Sequence, residues 1–192
     1  MEMIDSKLIT SKTMFITSYF INGYEYSLIN EGHEKIYVKK SPDEIVNLSF
    51  IHNGNTLKGA TEAARTELKR RYKQVPVVLS PGKSIALIKC KSTDPYGCVL
   101  LVESQIIHIE PYQNDHTLVI MKDGSNLIVN MKPYELQQNK EKALYLRITF
   151  LDHSSFDDSI YPANSNHHLK PETKSFIIQP NKTKKKKPFS AK

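Results

Sequence analysis

The sequence predicts an α+β fold: a single mixed domain of antiparallel hairpins and about three helices over residues 1–153, followed by a disordered basic C-terminal tail over residues 154–192. Three observations carry that expectation. Apolar and β-branched runs recur along the chain, and two pairs of them turn at Asn-Gly or Asp-Gly. Three other stretches switch to helical spacing with capping residues at their ends. After Asp152 the composition shifts to Ser, Asn, Pro and Lys, with too little apolar surface to offset the entropy of ordering the chain.

In chain order, "MFITSYFINGYEYSLI" reads as two strands around Asn22-Gly23, because both turn positions need φ > 0. "KIYVKK" is a further short strand. In "SPDEIVNLSFIHNG", Ser41 caps a helix, Pro42 fits its first position and Glu44 completes a capping box. Ile45, Leu48 and Ile51 have helical spacing there, and Asn53-Gly54 ends the run. "PVVLSPGKSIALIKC" is strand, Ser-Pro-Gly turn, strand, and "CVLLVESQIIHIE" gives one or two more. "HTLVIMKDGSNLIVNM" is a second hairpin, turning at Asp123-Gly124. "PYELQQNKEKALYLRITFLD" starts with Pro133 and reads as a helix with Leu136, Ala143, Leu144, Arg147 and Leu151 on one side.

Between the first helix and "PVVL" lies "GNTLKGATEAARTELKRRYKQVP", residues 54–76, with six basic side chains and two acids. Leu57, Ala60, Ala64, Leu68 and Tyr72 step by three and four, which predicts one narrow apolar stripe on a helix closed by Gln74 and Pro76. Lys58, Arg65 and Lys69 fall on an adjacent strip, Lys73 just beyond it, and Arg70 and Arg71 on its flanks. Such a ridge is either a solvated helix face or a phosphate-binding surface.

The net charge is +7, and residues 169–192, with eight lysines and one glutamate, carry all of it. The basicity therefore belongs to the tail, while the ridge is a local exception in a near-neutral body. Lys184–Lys187 suits nonspecific nucleic-acid affinity, weak attraction to an anionic membrane or a solubilising end. No apolar run approaches the ~20 residues a membrane span needs, and no signal-peptide pattern opens the chain, so a cytoplasmic protein that does not span a membrane is expected.

Enzymatic chemistry is poorly supported. "SPGKS" ends like a phosphate-binding loop, but Val77 stands where that loop needs glycine, so a β-turn is expected. The seven histidines form no His-x-x-x-His pair on a convincing helix, and no Gly-x-Ser-x-Gly elbow is present. Cys90 and Cys98 lack metal-site spacing and read as two core thiols, with a disulfide as the other option. No catalytic residue, metal or cofactor is expected.

Several short motifs, in order, resemble the competence transcription factor ComK family. They are Gly54 and Gly59 at the entry to the basic helix, Pro76 after it, Ser80-Pro81 and Ser92-Thr93 framing a strand pair, the Asp123-Gly124 hairpin, and Tyr145-Leu146-Arg147-Ile148-Thr149-Phe150. The resemblance implies a transcriptional activator of DNA-uptake genes that binds paired A/T-rich boxes of double-stranded DNA through the minor groove, as homo-oligomers. Lys58, Arg65, Lys69, Arg70, Arg71 and Lys73 would then meet phosphates or the groove. Arg147 would be another contact or the buried partner of a carboxylate. This chain departs from the family pattern at Leu57, where the family has Tyr, and at Ala60, where it has Arg. The resemblance also implies that Phe176, Ile177, Ile178 and Pro180 dock an adaptor of an ATP-dependent protease. Two other readings stand beside it: an RNA- or ribosome-associated protein whose tail carries the affinity, and a diverged copy acting through protein partners without DNA recognition.

Overall fold

The computed structural model describes residues 2–69 and 74–155. Its ten strands form one sheet, antiparallel throughout except at one edge. The strands are β1 Met3–Ile4, β2 Thr13–Ile21, β3 Tyr24–Glu31, β4 Glu34–Val38, β5 Val77–Ser80, β6 Ile85–Ser92, β7 Cys98–Val102, β8 Ile106–Pro111, β9 Thr117–Met121 and β10 Asn126–Asn130. Among the described residues three α-helices accompany them: α1 Pro42–His52, α2 Leu57–Glu67 and α3 Pro133–Ser155. The spatial order is β1-β4-β3-β2-β7-β6-β10-β9-β8, with β5 also on β6. The α+β class expected from the sequence is the observed one. The described residues belong to a compact unit that the chain's contacts bound at Met1–Ile160.

Local chemistry accounts for the turns. Asn22 and Gly23 both take positive φ, 50° and 80°, so the β2–β3 hairpin closes with the right-handed twist of its strands. The Ser41 side chain accepts from the Glu44 backbone N–H, and Glu44 accepts from the Ser41 N–H at 2.8 Å, completing the capping box of α1. Gly124 takes φ 80° between β9 and β10.

β6 is the hub. Its start pairs with β5 and its last residues with β10 along one edge, while β7 runs along the other. Both faces of β6 are buried. Ile85 and Leu87 face a core completed by Ile45, Val46 and Phe50 of α1. Ala86, Ile88 and Cys90 face a second core completed by Leu136, Ala143 and Leu146 of α3. Such two-faced burial explains the unbroken apolar runs "IALI" and "VLLV", since there is no solvent side to alternate toward. α2 contributes Ala60 to the first core and Ala64 to the second.

The helix faces differ from the expected ones in two places. Ile45 of α1 is buried with Val46, Ser49 and Phe50, while Ile51 is 65% exposed. On α3 the buried stripe is Leu136, Ala143 and Leu146, while Leu144 and Leu151 face outward. Both helices carry apolar residues on more than one strip, and the sheet decides which strip is covered.

Polar side chains fasten what these helices leave open. The N-terminal segment is held by Glu31, whose carboxylate accepts from Thr10 and Thr13 hydroxyls at 3.0 and 2.9 Å and pairs with Lys7 at 3.0 Å. The 3₁₀ turn Glu103–Gln105 is held to α3 by Arg147, whose Nε lies 3.1 Å from Glu103 Oε2. The same guanidinium donates at 3.3 Å to Oγ of Ser84, the positive-φ residue that closes the β5–β6 turn. Cys90 and Cys98 are free thiols, and burial, aided by the neighbouring Cys98, pushes the Cys90 thiol up to about 12.

Two predictions follow from these fastenings. Burial raises the Glu31 carboxyl, but the Lys7 ammonium and the Thr13 and Thr10 hydroxyls outweigh it and hold the group below its ordinary value of 4.5. A depressed folded-state value contributes stability above about pH 4.5 and loses it as pH falls through the folded value. Glu31→Gln is expected to cost about 1–2 kcal/mol at neutral pH. In urea melts its gap to the wild type should narrow below pH 4.5; a constant gap would contradict the assignment. Arg147→Ala strands the nearly buried Glu103 carboxylate and should cost about 3 kcal/mol. The double variant Arg147→Met, Glu103→Leu should be the milder lesion, because it leaves no charge unpaired. Urea midpoints at unchanged slope measure both.

Candidate nucleic-acid interface

α2 starts at the cap residue Thr56, whose hydroxyl accepts from the Gly59 N–H at 3.0 Å. A Cβ at residue 59 would lie 3.1 Å from that oxygen and 3.2 Å from Asn55 Oδ1, so the glycine lets the cap close tightly. Ala60 and Ala64 then face inward, where their small side chains allow the helix to approach the sheet. Ala60 is 4% exposed, so the α2 position next to Gly59 presents nothing to solvent.

The helix is shorter than its periodicity predicts. Leu68 is the C-cap and Lys69 has φ 51°, a left-handed residue that ends helical propagation. The Leu68 N–H donates to the Ala64 carbonyl at 3.0 Å and the Lys69 N–H to the Thr66 carbonyl at 3.2 Å, the tightening of a terminal turn. α2 therefore breaks after Glu67, and Tyr72, expected on its apolar stripe, lies outside the described residues. Tyr145 of α3 steadies this end, its hydroxyl donating to Glu67 Oε1 at 2.8 Å.

Lys58, Arg65 and Lys69 are all exposed, and among the described residues none of the three has an ion-pair partner. Lys58 and Arg65 are seven residues apart, about 10 Å along the helix axis. Arg65 lies in the last turn, where the helix dipole favours a cation. Arg70, Arg71 and Lys73 lie outside the described residues, as do Phe176, Ile177, Ile178 and Pro180 of the tail. Arg147 is apart from the ridge. Its side chain is 17% exposed and engaged with Glu103 and Ser84, which is the carboxylate-partner role among the two open to it.

The sequence motif around Arg147 thus works as a fastening face of α3. Tyr145 reaches Glu67, Leu146 enters the core and Arg147 holds Glu103. Sequence reading missed Glu103 and Ser84 as its partners, since they lie 44 and 63 residues away with no local signal. Among the described residues no cluster of three or more His, Cys, Asp or Glu is arranged to hold a metal ion. No described helix is long and apolar enough to cross a membrane.

A family model described as ComK protein matches residues 4–155, from the first strand to the end of α3. No curated protein and no solved structure matches the chain at a significant level. The match covers most of the sequence and nearly all of the described residues, and the chain therefore belongs to the ComK family of competence-related transcription factors.

Proposed function

We propose that the protein activates DNA-uptake genes by binding A/T-rich boxes through the minor groove, using the outer face of α2. The carrying observation is the ridge itself: exposed, uncompensated Lys58 and Arg65 on a helix whose other face is packed into the sheet, with Lys69 just beyond its end. Duplex DNA carries about one charge per 1.7 Å of axis, so cations about 10 Å apart span roughly six phosphate charges and can each meet a phosphate or enter the groove. The minor groove distinguishes little beyond A·T from G·C, but A-tracts narrow it and deepen its negative potential. Such a target asks for Arg and Lys side chains rather than a base-reading helix. Arg70, Arg71 and Lys73 extend the proposed contact set.

Two boxes occupied by two or more copies supply the selectivity that one groove lacks, so the proposal includes a homo-oligomer on DNA. It places the protein in the cytoplasm, on nucleoid DNA. The segment Phe176, Ile177, Ile178 and Pro180 is proposed as a docking segment for an adaptor of an ATP-dependent protease, because a short apolar island in a polar tail suits a partner's groove.

Fluorescence anisotropy on an A-tract duplex and a G·C-rich duplex of equal length tests the reading. The full chain is expected to prefer the A-tract duplex, and a chain ending at residue 168 should keep that preference. Arg65→Glu with Lys69→Glu should weaken binding at least tenfold. It should also flatten the dependence of log K on log salt by about 2, at about 0.9 per lost phosphate contact. Unchanged affinity in the folded double variant would remove α2 from the interface. Equal binding to both duplexes that vanishes with the tail would favour nonspecific attraction by its lysines.

A further inference from the structure

Beside the ridge, α1 and α2 diverge over the sheet and leave a cleft of about 260 Å³. Its floor is apolar: Val46 from α1, Leu57 from α2, Val77 from β5, Leu87 from β6 and Leu100 from β7. Its rim is polar. Lys89 is neutralised there by Asp43, with its Nζ 2.6 and 2.8 Å from the two carboxylate oxygens. The Thr61 hydroxyl is committed to the Leu57 carbonyl at 2.7 Å. Arg65 is different: it lines the same cleft and has no ion-pair partner among the described residues. An apolar floor with one uncompensated guanidinium at its edge is complementary to a specific kind of molecule.

We infer that this cleft binds a small amphipathic monoanion, an apolar body of medium chain length ending in a carboxylate-type head group that pairs with Arg65. The volume lies just under the ~300–1,000 Å³ of ordinary small-molecule sites, which favours a medium-chain body over a large one. Guanidinium is the side chain whose planar fork matches a carboxylate through two parallel hydrogen bonds. Because Arg65 also belongs to the proposed DNA ridge, an occupied cleft opposes DNA binding; this consequence rests on the DNA reading above. The antagonism is reciprocal, so bound DNA weakens the ligand by the same factor.

The chain contains no tryptophan, so Asn47→Trp on the rim gives an unambiguous fluorescence reporter. Decanoate is expected to change its emission saturably, with decanol at least tenfold weaker. Adding Arg65→Gln should weaken decanoate about tenfold and leave decanol unchanged, which isolates the head-group contact. Adding Thr61→Phe, which places a ring in the cleft, should abolish both responses. In the otherwise unaltered chain, amide shifts at Leu57, Thr61 and Leu87 should saturate with decanoate, a readout independent of the reporter. No saturable response, or one that survives Thr61→Phe, overturns the cleft site. Decanoate should also release a labelled A-tract duplex from the wild type and not from the Thr61→Phe variant. Decanoate binding that leaves duplex affinity unchanged overturns the link to DNA. A chain that binds no duplex overturns the DNA reading, and fluorescence and amide shifts then decide the cleft on their own.

Discussion

The structure depends on a strand whose first half, Ile85–Ile88, has no solvent face. Ile85 and Leu87 of β6 point to one core, and Ala86, Ile88 and Cys90 to the other, all 2% exposed or less. Each full-sized side chain so buried contributes about 1.5–3 kcal/mol, and the neighbouring β7 adds Val99, Leu100, Leu101 and Val102, all 4% exposed or less. A strand buried on both faces needs cover on both, and α1 and α3 supply it. Its edge is also divided, β5 pairing with its start and β10 with its end. That division gives β5 a partner on one side only, and α2 packs alongside β5 through alanines that reach both cores. Lys89 marks where the α1-side core stops, and Asp43 meets it there.

The placement of charge follows from this arrangement. α2 covers its side of the sheet with a stripe only Ala60 and Ala64 deep, so most of its circumference remains available to solvent. Among the described residues, its cations Lys58 and Arg65 sit on that open part with no carboxylate paired to them. Arg147, by contrast, belongs to a helix whose inner face spans one whole core, and it is drawn to Glu103. Two basic side chains that look equivalent in sequence thus have opposite fates: Arg65 stays solvated and available, while Arg147 is spent on holding the 3₁₀ turn against α3. The difference is set by which helix can offer a nearly buried carboxylate, and residue type alone does not carry that information.

What the sequence reveals is what short-range chemistry determines. The Asn22-Gly23 turn, the Ser41–Glu44 capping box and the Asp123-Gly124 turn each depend on a few consecutive residues, and each stands where those residues place it. Features that need distant partners were not legible. β1 is two residues long and exists because Met3 and Ile4 pair in parallel with Tyr37 and Val38. The exposed Ile51 and Leu144 have helical spacing as good as that of their buried neighbours, and only the sheet's position separates them. The end of α2 at Leu68 interrupts an apolar stripe that continues to Tyr72 in sequence. Of the proposed interface, residue types and the solvent-facing side of Lys58, Arg65 and Lys69 were readable, whereas the engagement of Arg147 depended on Glu103 and Ser84.

The size of the ridge constrains how a protein of this kind acts on DNA. The three described cations would neutralise about three phosphates, a salt slope of about −2.7 at 0.9 per contact, and all six of the proposed set about −5.4. Proteins that bind DNA specifically from a single surface commonly make six to ten phosphate contacts. Lys58 and Arg65 are also separated by about one Debye length at moderate salt, so they act as independent contacts rather than as one concentrated charge. In the proposed reading, a lone copy of α2 supplies attraction without much selectivity. Reading two boxes with two or more copies multiplies the contacts while keeping each one weak. Under that proposal promoter occupancy is a steep function of protein concentration, because each added copy raises the affinity of the next only when both boxes lie in reach. Weak single-copy binding and a solvent-facing arginine shared with an apolar cleft point the same way. An interface of this kind responds to small changes in protein level or in the pairing of one arginine, where a larger, fully committed surface would not.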